Sequence, residues 1–371
     1  MDAILRNTDN PDGGKVTSEF PLKGGAYFDV LSYHSYPHID GSVRAWNDDK
    51  KDFEYFRHSD RAVRGVFNLQ DQFESVLINH KYDGATYPEK HFLITEINIP
   101  RVAIDENMGS MVSQRNFLMK SLIGCKERNV LSMHVFNIAE APASENNNNS
   151  FSYMGLYRTL KDVKPYNQSV TISGEGYRTT SVVLDSTFFD EVKTKAMNLP
   201  LNIRGGAFRK SSGDYIYALW VATRNDKSED VQAIYSFPKE FEYELVSIKE
   251  WDFAKTNLES LVFSDAVELS GTPIFVEKSD EEIVIPKYLE MTVSPNPMID
   301  STTIEYYIQR ETNASILLIS SKGQVVYEIL NQRLTPGKYQ KSISTLNLQK
   351  GVYFVKLQTD TQLLTKKIVR N

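Results

Sequence analysis

Between Ala26 and about Leu160 the chain alternates short apolar runs with longer amphipathic stretches. The runs Tyr27–Tyr33, Phe92–Ile97 and Val130–Phe136 have strand length. Asp60–His80 and Met111–Lys126 instead repeat apolar residues at helical spacing, as in Val63, Val66, Phe67, Phe73, Val76 and Leu77. A strand–helix–strand–helix–strand order predicts parallel pairing with crossover helices, and three such strands do not close a barrel. After the Asn146–Asn149 loop and the Pro165 break the period falls to two. Asp214–Thr223, Val231–Phe237 and Glu242–Ile248 predict antiparallel strands, Ser211–Asp214 a hairpin turn, and the β-sandwich closes near Pro273–Glu277. The acidic Ser279–Ile283 reads as a linker. Beyond it, short strands are expected at Thr302–Ile308, Ala314–Ser320, Val325–Leu330, Tyr339–Ile343 and Val352–Leu357, with Gly323, Pro336-Gly337 and Gly351 supplying turns. The expected fold is multidomain, α/β followed by all-β, with modules at 1–170, 171–285 and 286–371.

Composition narrows the function classes. At 41% hydrophobic, 24% charged and 11% aromatic residues, the chain is expected to fold into packed modules. The net charge of −6 is uneven: residues 291–371 carry +5 and the preceding 290 carry −11. No basic run is long enough for a nucleic-acid footprint, so nucleic acid is excluded as a partner. No apolar stretch reaches the eighteen or so residues of a membrane span. Cys125, the single cysteine, leaves no intrachain disulfide and reads as a small core residue of a helix. Met1–Asn7 has neither the basic region nor the apolar core of a secretory signal peptide.

Candidate chemistry collects at strand ends. Glu96 ends the run His91–Asn98, and His34-Ser-Tyr36 ends the run Phe28–Tyr33. Catalytic groups of a β/α barrel are gathered from such positions. His34 and His38 do not read as metal ligands, because Pro37 interrupts any helix that would align them and no third ligand is evident. No cofactor is expected. Trp46 and Tyr153 lie in loops suited to stacking on sugar faces. Asn98 and Arg101 follow Glu96 closely enough to contact a substrate. Gly174-Glu-Gly176 reads as a turn, and Trp220 and Trp251 as sandwich core.

The Thr95-Glu96 pair and the upstream His34-x-Tyr36 resemble the seventh and sixth barrel strands of glycoside hydrolase clan A. The resemblance covers roughly residues 26–165, and the following sandwich resembles the β-domain that many clan members append. It implies a partial (β/α)8 barrel, its last three strands, with Glu96 as the nucleophile of a retaining glycosidase and Tyr36 donating a hydrogen bond to it. His34 would line the adjacent sugar subsite, and His134 or Phe136 would stand where the clan usually places a Trp platform. Trp46 and Asn98 complete the expected substrate contacts, with a polysaccharide or oligosaccharide as substrate. The clan's acid/base Glu follows an Asn, and no Asn-Glu dipeptide occurs in this chain.

The tail carries a second resemblance. Val293-Ser-Pro-Asn-Pro297, Thr303-Ile-Glu305, Gly323-Gln-Val325, Gly351–Lys356 and Lys366–Arg370 are similar, in order, to the immunoglobulin-like C-terminal sorting domain of type IX secretion substrates. This implies export, a cell-surface or extracellular location, and engagement of the secretion machinery through residues 291–371. With no signal peptide and three barrel strands of eight, the expectation is an N-terminally truncated enzyme, inactive alone. The alternative is a non-enzymatic surface module that binds glycan or connects.

Overall fold

A computed structural model of the chain describes residues 1, 5, 18, 24–140, 149–158, 169–281, 286 and 288–371. Asn146–Asn148, Pro165, Glu282 and Ile283 of the expected linker, and all of Met1–Asn7 except Met1 and Leu5, lie outside the described residues. The chain forms two compact units, Met1–Ser181 with Ala222–Asp230, and Val182–Val221 with Val231–Asn371. Among the described residues no helix is long and apolar enough to cross a membrane.

The first unit runs β1 (Val30–Ser35), β2 (Arg44–Asn47), β3 (Asp52–Tyr55), α1 (Ser59–Asn79), β4 (His91–Ile97), α2 (Met111–Glu127) and β5 (Met133–Val135). Strands β1, β4 and β5 form a parallel sheet with β4 in the middle, and β2 and β3 form a separate hairpin. The crossover pattern therefore appears as the alternation of apolar runs implies. Phe92, Ile94 and Ile97 of β4 share one apolar core with Val66 and Phe67 of α1 and Phe117 and Leu118 of α2. Both helices start on a side-chain cap: His58 Nδ1 accepts from Arg61 N at 3.3 Å, and Ser110 Oγ accepts from Ser113 N at 3.0 Å.

A buried ionic network crosses the start of α1. Lys120, fully buried on α2, donates to Asp60 Oδ2 at 2.6 Å and to Ser59 Oγ at 2.8 Å. The segment Ala222–Asp230 supplies the other half. Glu229 accepts from Ser59 N at 2.7 Å and Asn116 Nδ2 at 3.0 Å, and Asp226 holds the Arg57 guanidinium through both oxygens. Two acidic groups thus sit at a helix N-terminus, where the dipole favours negative charge.

Gly174-Glu-Gly176 is not the turn that its composition suggests. It lies inside α3 (Ile172–Val183), at positions where packing leaves no room for a side chain. A Cβ on Gly174 would meet Leu156 O at 2.4 Å, and one on Gly176 would meet Arg115 Cγ at 2.7 Å. Cys125 is buried, and burial pushes its thiol up to about 12.

The second unit is built of β6 (Phe188–Asp190), α4 (Glu191–Ala196), β7 (Ile203–Arg209), β8 (Tyr215–Val221), β9 (Gln232–Tyr235), β10 (Leu245–Lys249), α5 (Phe253–Thr256), β11 (Glu259–Phe263), β12 (Val267–Ser270) and β13 (Ile274–Ser279). The tail adds β14 (Glu290–Ser294), β15 (Ser301–Ile308), β16 (Thr312–Ser320), β17 (Val325–Leu334), β18 (Gly337–Ser344), β19 (Gly351–Gln358) and β20 (Leu363–Arg370). A nine-stranded sheet runs β14-β15-β18-β11-β10-β13-β8-β7-β6, a four-stranded sheet runs β17-β16-β19-β20, and β9 pairs with β12. The β7–β8 hairpin closes through Lys210 N to Asp214 O at 2.8 Å. Strands on either side of the expected 285/286 boundary belong to one sheet, joined where Leu261 and Val262 pair with Lys338 and Gly337. They also share one apolar core, from Tyr217 and Val246 to Tyr306 and Ile316.

Candidate active site

Two register breaks shape the end of the parallel sheet. Tyr33 pairs with Ile94 but His34 pairs with Glu96, so Thr95 is an extra residue on β4. One inserted residue inverts the period-two alternation. Phe92 and Ile94 are buried, yet beyond Thr95 the buried position is Ile97 and Glu96 turns to the opposite face. The Thr95 hydroxyl fixes this bulge by donating to Tyr33 O at 3.1 Å.

Glu96 there meets both residues expected beside it. Tyr36 Oη donates to Glu96 Oε2 at 2.6 Å, and His34 Nδ1 lies 3.3 Å from the same oxygen. The Glu96 side chain keeps 39% of its surface exposed and His34 keeps 55%, so an incoming molecule can reach both. The Tyr36 phenol is held well above its ordinary pKa, first by burial and then by its hydrogen bond to Glu96. Its proton stays on oxygen, available to the carboxylate.

An aromatic cluster supports the phenol. Tyr36 meets Phe151 edge to face at 5.0 Å, Phe136 at 5.8 Å and His38 at 6.2 Å. Such contacts fix ring orientation and contribute roughly 0.5–1.5 kcal/mol each. His38 is buried, its Nε2 lies 3.2 Å from Ser150 Oγ, and burial pushes its pKa down to about 4. It is a neutral imidazole at neutral pH.

Other expected contacts fall elsewhere. Asn98 is fully buried, its amide donating to Phe136 O and Met154 O and accepting from Gln114 Nε2. It ties strand ends together and is not presented to a substrate; the asparagine satisfies carbonyls that the ending sheet leaves open. Arg101 is likewise engaged, in a two-pronged ion pair with the buried Glu140 at 2.5 and 2.7 Å. His134 is exposed on β5 beside Ser132 at 3.2 Å. Phe136 joins the cluster and His134 is not among its ring contacts. Trp46 sits 52% exposed on the β2–β3 hairpin, edge to face with Phe53 at 5.3 Å.

Sequence reasoning missed Phe151 and the part played by His38. Phe151 lies in a short 3-10 turn, Ser150–Tyr153, after an asparagine run, with no periodicity to flag it. His38 could have been found from its spacing of two residues from Tyr36. Among the described residues no group of three or more His, Cys, Asp or Glu could hold a metal ion.

Residues 292–371 match the family described as secretion system C-terminal sorting domain. The chain is therefore an exported protein, delivered through type IX secretion to the cell surface or the extracellular space. No curated protein matches the chain in sequence. Similar solved structures include dimeric latent PorU from Porphyromonas gingivalis, 11% identical over 42% of this chain and 18% of that one, TM-score 0.19. The endo-β-1,4-mannanase from Thermotoga petrophila is 8% identical over 92% of this chain and 47% of that one, TM-score 0.23. A bacterial orthologue of human α-L-iduronidase is 10% identical over 98% of this chain and 68% of that one, TM-score 0.35. The chain spans less than half the length of the PorU and mannanase structures. All three TM-scores are below 0.5, so none of these folds is assigned to this chain.

Proposed function

We propose that the chain carries part of the active site of a secreted retaining glycoside hydrolase acting on a polysaccharide, with Glu96 as nucleophile. The observation that carries this reading is the 2.6 Å hydrogen bond from Tyr36 to Glu96, at a strand end where the carboxylate is still open to solvent. A retaining enzyme needs its nucleophile ionised and aimed at the anomeric carbon, and a charge-assisted hydrogen bond from a phenol serves both needs. His34, on the same carboxylate oxygen, would contact the adjacent sugar. Phe136 is the better platform candidate of the two considered, since it packs against Tyr36.

The reaction also needs a carboxylic acid about 5 to 5.5 Å from the nucleophile. No residue is assigned that role here, and under this reading the three parallel strands belong to a (β/α)8 barrel whose remaining strands would carry it. The test is labelling by a 2-deoxy-2-fluoro glycoside with a dinitrophenyl leaving group. Such a leaving group departs without general-acid help, so the nucleophile alone is read. Peptide mapping is expected to place the label on Glu96; a label on another carboxylate overturns the assignment. The exposed aromatics favour a second reading, a non-enzymatic glycan-binding module, which predicts glycan binding with no label on any carboxylate.

A further inference from the structure

The two sheets of the tail treat their outer faces differently. In β15 the buried Ile304 and Tyr306 alternate with Thr303 and Glu305, the pattern of a strand with one solvated face. Strands β16 and β19 break that pattern. Ile316 and Leu318 pair with Leu357 and Val355 inside the core, yet the residues between them are apolar too, Leu317 and Ile319 on β16 and Phe354 on β19. These three are half-buried and stand outside the apolar core of the second unit. Strands apolar on both sides belong in sheets that are covered on both sides.

The register gathers these side chains into two rows on the outer face. Val325 of β17, Ile319, Phe354 and Lys367 of β20 lie side by side in one row, and Glu328, Leu317 and Lys356 in the next. Val325 is 59% exposed and Lys367 is exposed. Neither Lys356 nor Lys367 is ion-paired among the described residues. The result is an apolar strip with free cations on the β20 side, in a tail whose residues 291–371 carry +5.

We infer that the outer face of the β17-β16-β19-β20 sheet is the surface by which the tail docks on an acidic, apolar-centred protein surface of the secretion machinery. A sorting domain acts by being read, so this tail has a protein partner, and an apolar centre with a charged rim is how protein docking surfaces are built. A second copy of the chain fits less well, because it would set two tails of +5 against each other. The inference concerns the tail alone and is independent of the glycosidase reading.

The test is export of the full chain, placed behind a secretory signal peptide in a bacterium with type IX secretion, read by cell fractionation and by melting of each purified variant. Lys356→Glu combined with Lys367→Glu reverses the rim and should cut the exported fraction at least about tenfold with melting near the wild type, since like charges brought together at an interface are strongly unfavourable. Val325→Asp, at an exposed position, should act in the same direction and carries the test if the double variant fails to fold. Lys239→Glu, a reversal at an exposed position outside the tail, should export normally. Wild-type export of the folded face variants overturns the docking surface, as does an equal loss in Lys239→Glu. Photo-crosslinking from benzoylphenylalanine at position 325 in exporting cells identifies the occupant: an adduct with a protein of the secretion machinery, assigned by mass spectrometry, is expected. An adduct of twice the chain's mass, or none, overturns the proposal.

Discussion

The sheet that carries Glu96 and the four-stranded sheet of the sorting tail treat their strand ends and edges in opposite ways. In the first, among the described residues β4 is the one strand paired on both sides, and the register breaks near its end so that a carboxylate is turned outward. In the second, the last strand, β20, has its outer edge closed by the Pro-rich turn that opens the tail. Asn296 donates to Lys367 O at 3.0 Å and accepts from Val369 N at 2.9 Å, and Met298 N donates to Val369 O at 2.8 Å. The side-chain amide stands in for one residue of a neighbouring strand, a device that protects an edge from pairing with other chains.

The cores differ in kind as well. Around α1 the first unit relies on buried charge, whereas the second unit stacks apolar strands with tyrosines such as Tyr217 and Tyr306 inside. The largest effect should follow from breaking the charge network. Lys120→Met would leave Asp60 and Glu229 buried without their cation, a loss of about 3–5 kcal/mol. Hydrogen exchange around Phe92–Ile97 should rise strongly while Tyr215–Val221 stays protected. Equal loss in both segments would show that the units do not differ in this way.

The closed edge gives the next effect. Asn296→Ala removes two hydrogen bonds and should cost the tail about 1–3 kcal/mol, with exchange rising first at Val369. Unchanged protection of β20 would mean that Asn296 does not cap it.

One carboxyl in each unit should contribute an opposite slope with pH. For Asp60, burial alone would raise the pKa, but Lys120 and Thr223 outweigh it and the carboxyl lies below its usual range. Its stabilising contribution is present above the unfolded pKa and is lost as pH falls through the depressed value. Glu268 of β12 is the reverse case. Burial, reinforced by Glu311 and opposed by Arg333, raises its carboxyl to about 7. The folded second unit holds a proton that the unfolded chain releases, so this contribution is full at low pH and fades between about 4.5 and 7. Glu268→Gln should therefore raise melting of the second unit more at pH 8 than at pH 5, each compared with the wild type at the same pH. An equal effect at both pH values would show that Glu268 does not carry this contribution.

What the sequence displayed was periodicity. The parallel strands and both long helices of the first unit follow from apolar spacing, and five tail strands follow from alternation between glycine turns. β20 was hidden because Lys366 and Lys367 dominate it and Ile368 is its one buried side chain. The Gly174–Gly176 helix was hidden because the reason for its glycines is a close approach by Leu156 and Arg115, distant in sequence. That Glu96 would meet Tyr36 and His34 was legible from strand-end placement, and the contacts are present, while their catalytic role is a proposal. The Thr95 bulge that aims Glu96, and the Phe151 contact that holds Tyr36, are tertiary facts without a local signature. Asn98 was misassigned for the same reason, since proximity in sequence to Glu96 does not reveal a side chain turned inward.

The proposed role of Tyr36 and Glu96 is to act together as an oriented nucleophile. The most direct measurement is the rate of fluoroglycoside labelling in the wild type, Tyr36→Phe and Glu96→Gln, with peptide mapping of each. A labelled Glu96 is expected in the wild type, labelling slowed about ten- to a hundredfold in Tyr36→Phe through loss of one charge-assisted hydrogen bond, and none in Glu96→Gln. Labelling of Glu96→Gln at the wild-type rate would contradict it.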